Sequence, residues 1–554
     1  MPLPCARSAA VLLALLVAAC GRKADTVITG GMVWTGLSSG QARPGAVAIL
    51  GGKILAIGES AAIERSVGAR TQRINARGGL VLPGFADGHT HFVGGGFQLV
   101  SLDLRNAATP QEFVRRIAES AQRRPPGVWI TGGDWDHTLW PGQPLPRREW
   151  IDSVTPNTPV FISRLDGHEA LANTAAIQAA GVSKATPTPP GGEILHDART
   201  GEPTGIFKDR AQELIYRAVP APTPEETDSA LARALVYAAS LGVTATAHMS
   251  ASWAELASYR RLAQAGRMTM RVYLYLPLES WRAVADSIAG AGQADEWVRI
   301  GGLKGYMDGS AGSRTAYFFD AYNDSAGYNG LLQHAEADMR AWIGGADSAG
   351  LQVAVHAIGD RANAILLAIY DSVMKAHGTR DRRFRIEHAQ HLRPEDIPRF
   401  GALRVVASMQ PYHAIDDGRW VEQRIGPERI KTTYVFRTLL DTDAPLAFGS
   451  DWTVASLDPI QGVYSAVTRR TLDGKNPSGW VPQQKIGVAE ALRAYTTGNA
   501  WAVFAENRWG TLSPGHDADV VVLDRDLFTL APDSLATARV SVTIVGGKIV
   551  YRKS

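Results

Sequence analysis

The chain has 554 residues, 45% of them hydrophobic and 20% charged, which is the balance of a globular protein rather than a disordered or membrane-spanning one. Its 57 Lys and Arg against 54 Asp and Glu leave a net charge of +3 without a basic block, so there is no electrostatic case for a nucleic-acid partner. The length accommodates one large barrel and a satellite domain.

The first predicted element is an export signal over residues 1–19. After Arg7, residues 9–19 form an apolar run, shorter than the roughly 18–20 residues needed to span a bilayer. The run ends Val17-Ala18-Ala19-Cys20, small residues ahead of a cysteine, and this is similar to a bacterial lipobox. Cys20 is then the lipid attachment point and the protein is anchored in the cell envelope on the extracytoplasmic side. With Gly21 rather than Asp after Cys20, the outer membrane is expected in a Gram-negative host. The other reading is a plain secretory signal followed by a free thiol. Cys5 and Cys20 are the only cysteines, so the mature domain has no disulfide, thiolate ligand or cysteine nucleophile.

Residues 46–58 and 540–551 each place two β-rich runs around a Gly-Gly turn, and 519–523 is a further short strand. These segments predict one small β-sandwich built from both chain ends, residues 20–82 and 501–554. The intervening residues 83–500 alternate apolar β runs with helical patterns, for example over 224–240 and 361–377. That alternation implies βαβ units and an α/β (β/α)8 TIM barrel. Its eight strands are expected to end near His91, His248, Leu276, Asp308, His356, Gln390, Gln410 and Asp451. Residues 94–222, rich in Pro, Gly and Trp, read as a cap inserted after the first strand.

The strongest motif is Leu82-Pro-Gly-Phe-Ala-Asp-Gly-His-Thr-His-Phe92. Side chains two apart on a strand share a face, so His89 and His91 converge at a strand end and can share a metal ion. Three other apolar runs end in His356, His388 and Asp451, at the C-terminal barrel face where active sites of this fold lie.

This pattern of His-x-His after strand one, His after strands five and six, and Asp after strand eight resembles the amidohydrolase superfamily. The closer likeness is to its amidohydrolase-3 branch, which includes N-substituted formamide deformylases. Leu165-Asp-Gly-His-Glu-Ala-Leu-Ala-Asn173, Leu303-Lys-Gly-Tyr-Met-Asp-Gly-Ser-Ala-Gly-Ser-Arg314, Val355-His-Ala-Ile-Gly-Asp360 and Gly510-Thr-Leu-Ser-Pro-Gly-His-Asp-Ala-Asp519 are similar to that branch's motifs.

The resemblance implies one or two divalent ions held by His89, His91, Lys304, His356, His388 and Asp451. Zn2+ suits the donors, and Mn2+, Co2+ or Fe2+ are also compatible. A desolvated Lys304 can react with CO2 to give a carbamate, the bridging ligand of binuclear members; the other reading is a Lys that snorkels outward or pairs with Asp308. Asp451 is also the expected proton shuttle for hydroxide generated on the metal.

His168, Arg314, Trp135, Gln410 and Trp452 are candidate substrate contacts. His248 is not required as a ligand, His391 reads as second-layer or surface, and Glu387 as structural on the face opposite His388. The expected reaction is hydrolysis of a small-molecule amide, with an N-substituted linear amide ahead of a cyclic amide, carbamate or ester. A binding lipoprotein without catalysis is the rival from another class, and a homo-oligomer stays open. Cys20→Ser is expected to move the protein from the membrane to the soluble fraction without changing its catalytic rate, as read by fractionation and mass spectrometry of the mature N-terminus.

Overall fold

Eight short strands meet in one parallel sheet: β1 (Phe85–Thr90), β2 (Val243–His248), β3 (Arg271–Pro277), β4 (Val298–Tyr306), β5 (Val353–Ala357), β6 (Arg385–His388), β7 (Val406–Met409) and β8 (Leu446–Phe448), hydrogen-bonded in the order β8 to β1. Nearly every residue in them is buried, as expected where helices cover the outside and side chains fill the inside. The strands end within three residues of the predicted positions. The computed structural model describes residues 23–37, 40–125, 127–291 and 296–553; the predicted export signal and Cys20 lie outside the described residues.

The helices follow from local signals. Pro224–Ser240 starts at Thr223, whose side chain accepts from the Glu226 amide while Glu226 reaches back, and Pro224 takes the first turn, where its missing N–H costs nothing. Its buried face is Leu231, Ala234, Leu235 and Ala238. Asp360–His377 buries Leu366, Leu367, Ile369 and Tyr370 against the barrel and ends at Gly378, with φ of 75°.

The barrel closes between β8 and β1 by a side-chain staple in place of a full ladder. Asp87 accepts the amides of His89 (3.0 Å) and Ser450 (3.0 Å), and Asn499 donates to Ala86 O (2.6 Å) and Phe448 O (2.8 Å). Backbone bonds run from Asp451 to His89 O (2.8 Å) and from His91 to Trp452 O (2.6 Å). The seam requires glycine at two places: a Cβ on Gly88 would strike Asn499, and one on Gly449 would strike the His89 backbone.

Strands from both chain ends form an eight-stranded sheet in which Lys548–Arg552, Val540–Val545 and Val520–Leu523 join Leu80–Pro83, and Leu80–Pro83 joins Thr26–Val33. Thr26–Val33 pairs with Gln72–Asn75 along its first half and with Leu80–Pro83 along its second. The sheet therefore splits and folds over a core that includes Ile28, Val47, Ile74, Val520 and Ile544, giving the sandwich. Between β1 and β2 lies a six-stranded mixed sheet, Leu102–Asp103 through Pro203–Asp209 and Gly192–His196, with its own core of Phe113, Trp135, Trp140 and Ile162.

Arg271 at the base of β3 locks the sandwich to the barrel. Its guanidinium is buried and pairs with Asp519 (2.9 Å) and Asp517 (3.1 Å), and Asp519 also accepts the Gly546 amide (2.8 Å). Arg271→Met leaves Asp519 buried without a cation. The expected cost is about 3–5 kcal/mol, read as a fall in the denaturant midpoint; a shift worth under about 1 kcal/mol would show that the pair does not hold the two units together.

Candidate metal centre at the barrel mouth

Five strand ends deliver side chains to one volume. His89 Nε2 lies 3.5 Å and His91 Nε2 3.3 Å from Asp451 Oδ1. The His388 ring sits 4.9 Å from that of His89 and 4.6 Å from that of His356, centroid to centroid. Lys304 Nζ is 3.3 Å from His89 Nε2. His89, Lys304, His356, His388 and Asp451 are buried, while His91 is about one-third exposed on the cavity side.

Three of the four rings, those of His89, His356 and His388, are held by a hydrogen-bond partner, which selects the tautomer. His89 Nδ1–H donates to Glu387 (2.7 Å), and Glu387 is in turn paired with Arg385 (2.7 Å). His388 Nδ1–H donates to Gln410 Oε1 (2.8 Å). His356 Nε2–H donates to Gly309 O (3.0 Å). The lone pairs left over are Nε2 on His89 and His388 and Nδ1 on His356. Asp308 steadies the loop carrying Gly309 by accepting the amides of Tyr317 (2.8 Å), Ile358 (3.0 Å) and Gly359 (2.8 Å).

Two positions in this cluster use backbone that residues with a Cβ seldom adopt. His388 has φ of 75°, Ala389 43° and Asp451 58°. Simple alternation along β6 would send Glu387 and His388 to opposite faces. In the structure Glu387 bonds to His89 and the His388 ring lies 4.9 Å from the His89 ring. Strain of this kind is kept where surrounding structure enforces it, which is the usual state of working sites.

The electrostatics favour a centre of neutral imidazoles around one anion. Burial, reinforced by Lys304, pushes His89 down to about 4. Burial also drives His356 and His388 well below the ordinary histidine value, with help from neighbouring positive groups. Burial holds Lys304 down to about 8 against the pull of Glu387 and Asp451. Burial by itself would raise Asp451, but the imidazoles of His89, His91 and His388 keep it well below the carboxylate range. Glu387 likewise stays ionised despite burial because Arg385 and His89 bind it.

Above this floor lies a cavity of about 460 Å³, walled on one side by the inserted sheet and lined by Gln98, Asp134, Ser163, Asp166, Tyr216 and Gln333 among others. A second, smaller lobe of about 60 Å³ runs on past Gly312, His413 and Trp420 and shares His388 and Asp451 with the first. His168 enters the cavity from the insertion, its Nδ1 bonded to Asp209 (2.7 Å) and its ring 4.9 Å from that of His356.

The other expected contacts lie elsewhere. Trp135 is fully buried in the core of the insertion and donates from Nε1 to Ile162 O (2.9 Å), so its bulk packs the cap rather than the cavity. Trp452 is buried against Phe92 and Tyr237. Arg314 turns to Asp324 (2.9 Å). Gln410 is fully buried and acts on His388 rather than on a ligand.

Glu387 shares the centre with His388 instead of facing away from it. His391 is buried, bonded to Thr433 (2.8 Å) and Gln390 (3.1 Å), and is not a surface residue. His248 is bonded to Tyr259 (2.9 Å). Lys304 points inward and makes no carboxylate pair among the described residues; Asp308 is occupied by backbone amides. His413, four residues past the end of β7, escaped the strand-end pattern, although its place in Gln410-Pro-Tyr-His413 directly follows a predicted strand end.

The donor set fits a divalent cation. Ligand atoms of His89, His91 and Asp451 lie within 4.8 Å of one another, as do those of His388, His413 and Asp451. Asp451 Oδ1 is buried without a hydrogen-bond partner among the described residues, a costly state for a carboxylate unless a cation compensates it. Neutral imidazoles and an ionised carboxylate are the forms that bind metal.

The chain is similar to known proteins. The Amidohydrolase family profile matches residues 72–551. Protein LONG AFTER FAR-RED 3 of Arabidopsis thaliana is 38% identical over 96% of this chain and 92% of its own length. N-substituted formamide deformylase of Arthrobacter pascens is 27% identical over 92% of this chain and 95% of its own. The crystal structure of an uncharacterized metal-dependent hydrolase from Pyrococcus horikoshii superposes with a TM-score of 0.73 at 28% identity, covering 92% of this chain and 99% of that one.

Glu387→Gln keeps an acceptor for His89 but leaves Arg385 buried without a counter-charge. In metal-free protein the expected loss is about 3–5 kcal/mol, read by denaturant unfolding. The folded-state pKa of Glu387 is depressed, so its contribution is complete above the unfolded value of about 4.3 and disappears as pH falls below it. The gap between wild type and variant should therefore narrow on acidification. A gap that is constant or widens at low pH would contradict the pairing.

Proposed function

Because the chain belongs to the amidohydrolase family, a family of metal-dependent hydrolases, we propose that this cavity cleaves the C–N bond of a small, linear, N-substituted amide. The observation that carries the reading is the Asp451 carboxylate, ionised, buried and without a hydrogen bond at Oδ1 among the described residues, with the ring nitrogens of His89 and His91 3.5 and 3.3 Å from it at the floor of a polar cavity. The similarity to an N-substituted formamide deformylase over 92% of the chain supports the choice of amide. Imidazole and carboxylate donors favour Zn2+.

His89, His91 and Asp451 would hold the cation, with His356 and His388 alongside. When bound, such an ion polarises a carbonyl and lowers the pKa of a water to about 7. Asp451 takes the proton of the attacking water and delivers it to the amide nitrogen, so that a neutral amine leaves. Its depressed pKa keeps it ionised at neutral pH. His168, with Nδ1 tied to Asp209, holds Nε2 toward the substrate. Tyr306, pushed up to about 12 by burial, stays protonated on the cavity wall and shares its hydroxyl with Ser250 (2.6 Å).

Lys304 is suited to add CO2 at Nζ, losing one proton and leaving an anionic carbamate next to His89. In support, its amine is fully buried, lowered to about 8 and aimed at the ligand cluster. The residues at 9–20 support a further reading, that the enzyme is exported and anchored through Cys20 to the cell envelope.

The test is turnover by the purified full chain on N-substituted formamides and acetamides, cyclic amides and esters, with Zn2+ added. Hydrolysis of esters or cyclic amides with none of the linear amides would overturn the substrate assignment. Asp451→Asn retains a neutral oxygen of the same shape but no base, and kcat should fall about 10²–10⁴-fold while at least one ion remains bound by the histidines. Near-wild-type kcat in that variant would remove Asp451 from proton transfer.

A further inference from the structure

We propose that Asp209 and Gln212 form a subsite for a group with two N–H donors, a primary ammonium or a primary carboxamide, carried on the N-substituent of the substrate. The inference rests on the amide reading above and adds what that substituent must present. Both residues come from the insertion, line the larger cavity and are more than nine-tenths buried. Asp209 Oδ2 and Gln212 Oε1 have no hydrogen-bond partner among the described residues. Buried acceptors are rarely left so, and a ligand that brings donors satisfies both.

Asp209 is withheld from its ordinary use. It stands at the start of the 3-10 turn Arg210–Gln212, where an Asp side chain commonly accepts an amide of the turn, yet it makes no such bond. Its φ of 47° with ψ of −125° is a conformation that residues with a Cβ seldom adopt. Oδ1 accepts from His168 Nδ1 (2.7 Å) and Gln333 Nε2 (3.2 Å), and Oδ2 is left over. Gln212 Nε2 donates to Gly167 O (3.0 Å), which fixes the amide and leaves Oε1 without a donor. Side chains three apart on a 3-10 turn lie over one another, so the turn sets the two acceptors on one side.

Neighbouring cations are engaged elsewhere. Lys208 alternates away from Asp209 and pairs with Glu193 (2.9 Å). Arg164 is bound by Asp166 (2.6 Å) and Asp136 (3.3 Å). The subsite lies one imidazole ring from the barrel-mouth cluster, because His168 spans from Asp209 to a ring contact with His356, 4.9 Å between centroids. A short spacer therefore joins the donor group to the scissile amide.

The test uses four formamides whose N-ethyl chain ends in a methyl, ammonium, primary carboxamide or carboxylate group. Each is titrated by calorimetry, with Zn2+ present, into full-chain Asp451→Asn, and offered to wild type for turnover. The ammonium and carboxamide probes should bind about 10–100-fold more tightly than the methyl probe, and the carboxylate probe more weakly than it. The order of the first two tells which donor group the site takes. In the same background, Gln212→Met should cut the carboxamide preference about 10-fold. Asp209→Asn keeps an oxygen toward His168 and Gln333 but puts an N–H in place of Oδ2, and should turn the ranking toward the carboxylate probe.

Equal affinities, no detectable binding or a preference for the carboxylate in the Asp451→Asn chain would overturn the subsite. So would a ranking that survives either further substitution, since the field of the whole cavity would then be its source; if one of these variants fails to fold, the other decides. Donor probes bound but not cleaved by wild type would sink the amide assignment and leave the subsite standing. Cleavage of all four with equal kcat/KM would do the reverse.

Discussion

Asp87 carries the closure on which the centre depends. Its carboxylate accepts amides from the first strand and from the segment after the last, and burial raises its pKa to about 7, so only these directed hydrogen bonds make its ionised form tolerable there. A barrel whose eighth strand has three residues cannot close on a full ladder. The staple from Asp87, with Asn499 spanning the same seam, sets the register between β1 and β8. That register places Asp451 against His89 and His91.

Beneath the centre, charge is managed in layers. Arg385 neutralises Glu387, Glu387 orients His89, and His89 faces Asp451. Each link compensates the burial of the next, so a lysine, a carboxylate and several imidazoles coexist where an isolated charge would be expensive. The result is a preorganised donor set whose lone pairs face inward before any ligand arrives. Preorganisation of this kind lets the site act on developing charge without first rearranging its dipoles.

The cluster at the barrel mouth and the cavity wall above it come from different parts of the chain. The ligand set rises from barrel strands, the most rigid elements, whereas the wall with Asp134, Ser163, Asp166 and Tyr216 belongs to the insertion. His168 and its partner Asp209 also come from the insertion, so docking of the cap completes the cavity. In this fold the general division of labour puts chemistry on the barrel strands and variation in the loops above them.

Much of this was legible along the chain. The strand period of two puts His89 and His91 on one face, and apolar runs ending in His356, His388 and Asp451 mark the C-terminal face of a parallel barrel. Those are local signals, and local geometry does not change when the chain folds. The terminal β runs were readable for the same reason. Four assignments were beyond local reasoning. Glu387 and His388 both meet His89, which alternation along the strand does not foretell. Trp135 and Trp452 are core because packing, not aromaticity, decides exposure. Arg314 turns to an acid ten residues on. His413 and Asp209 reach the centre from segments whose position depends on how β7 and the cap dock. Sequence by itself determined the barrel, its strand ends and the residue types at the mouth; tertiary structure decided which of those groups touch, because burial, tautomer and left-handed turns arise only when distant segments constrain one another.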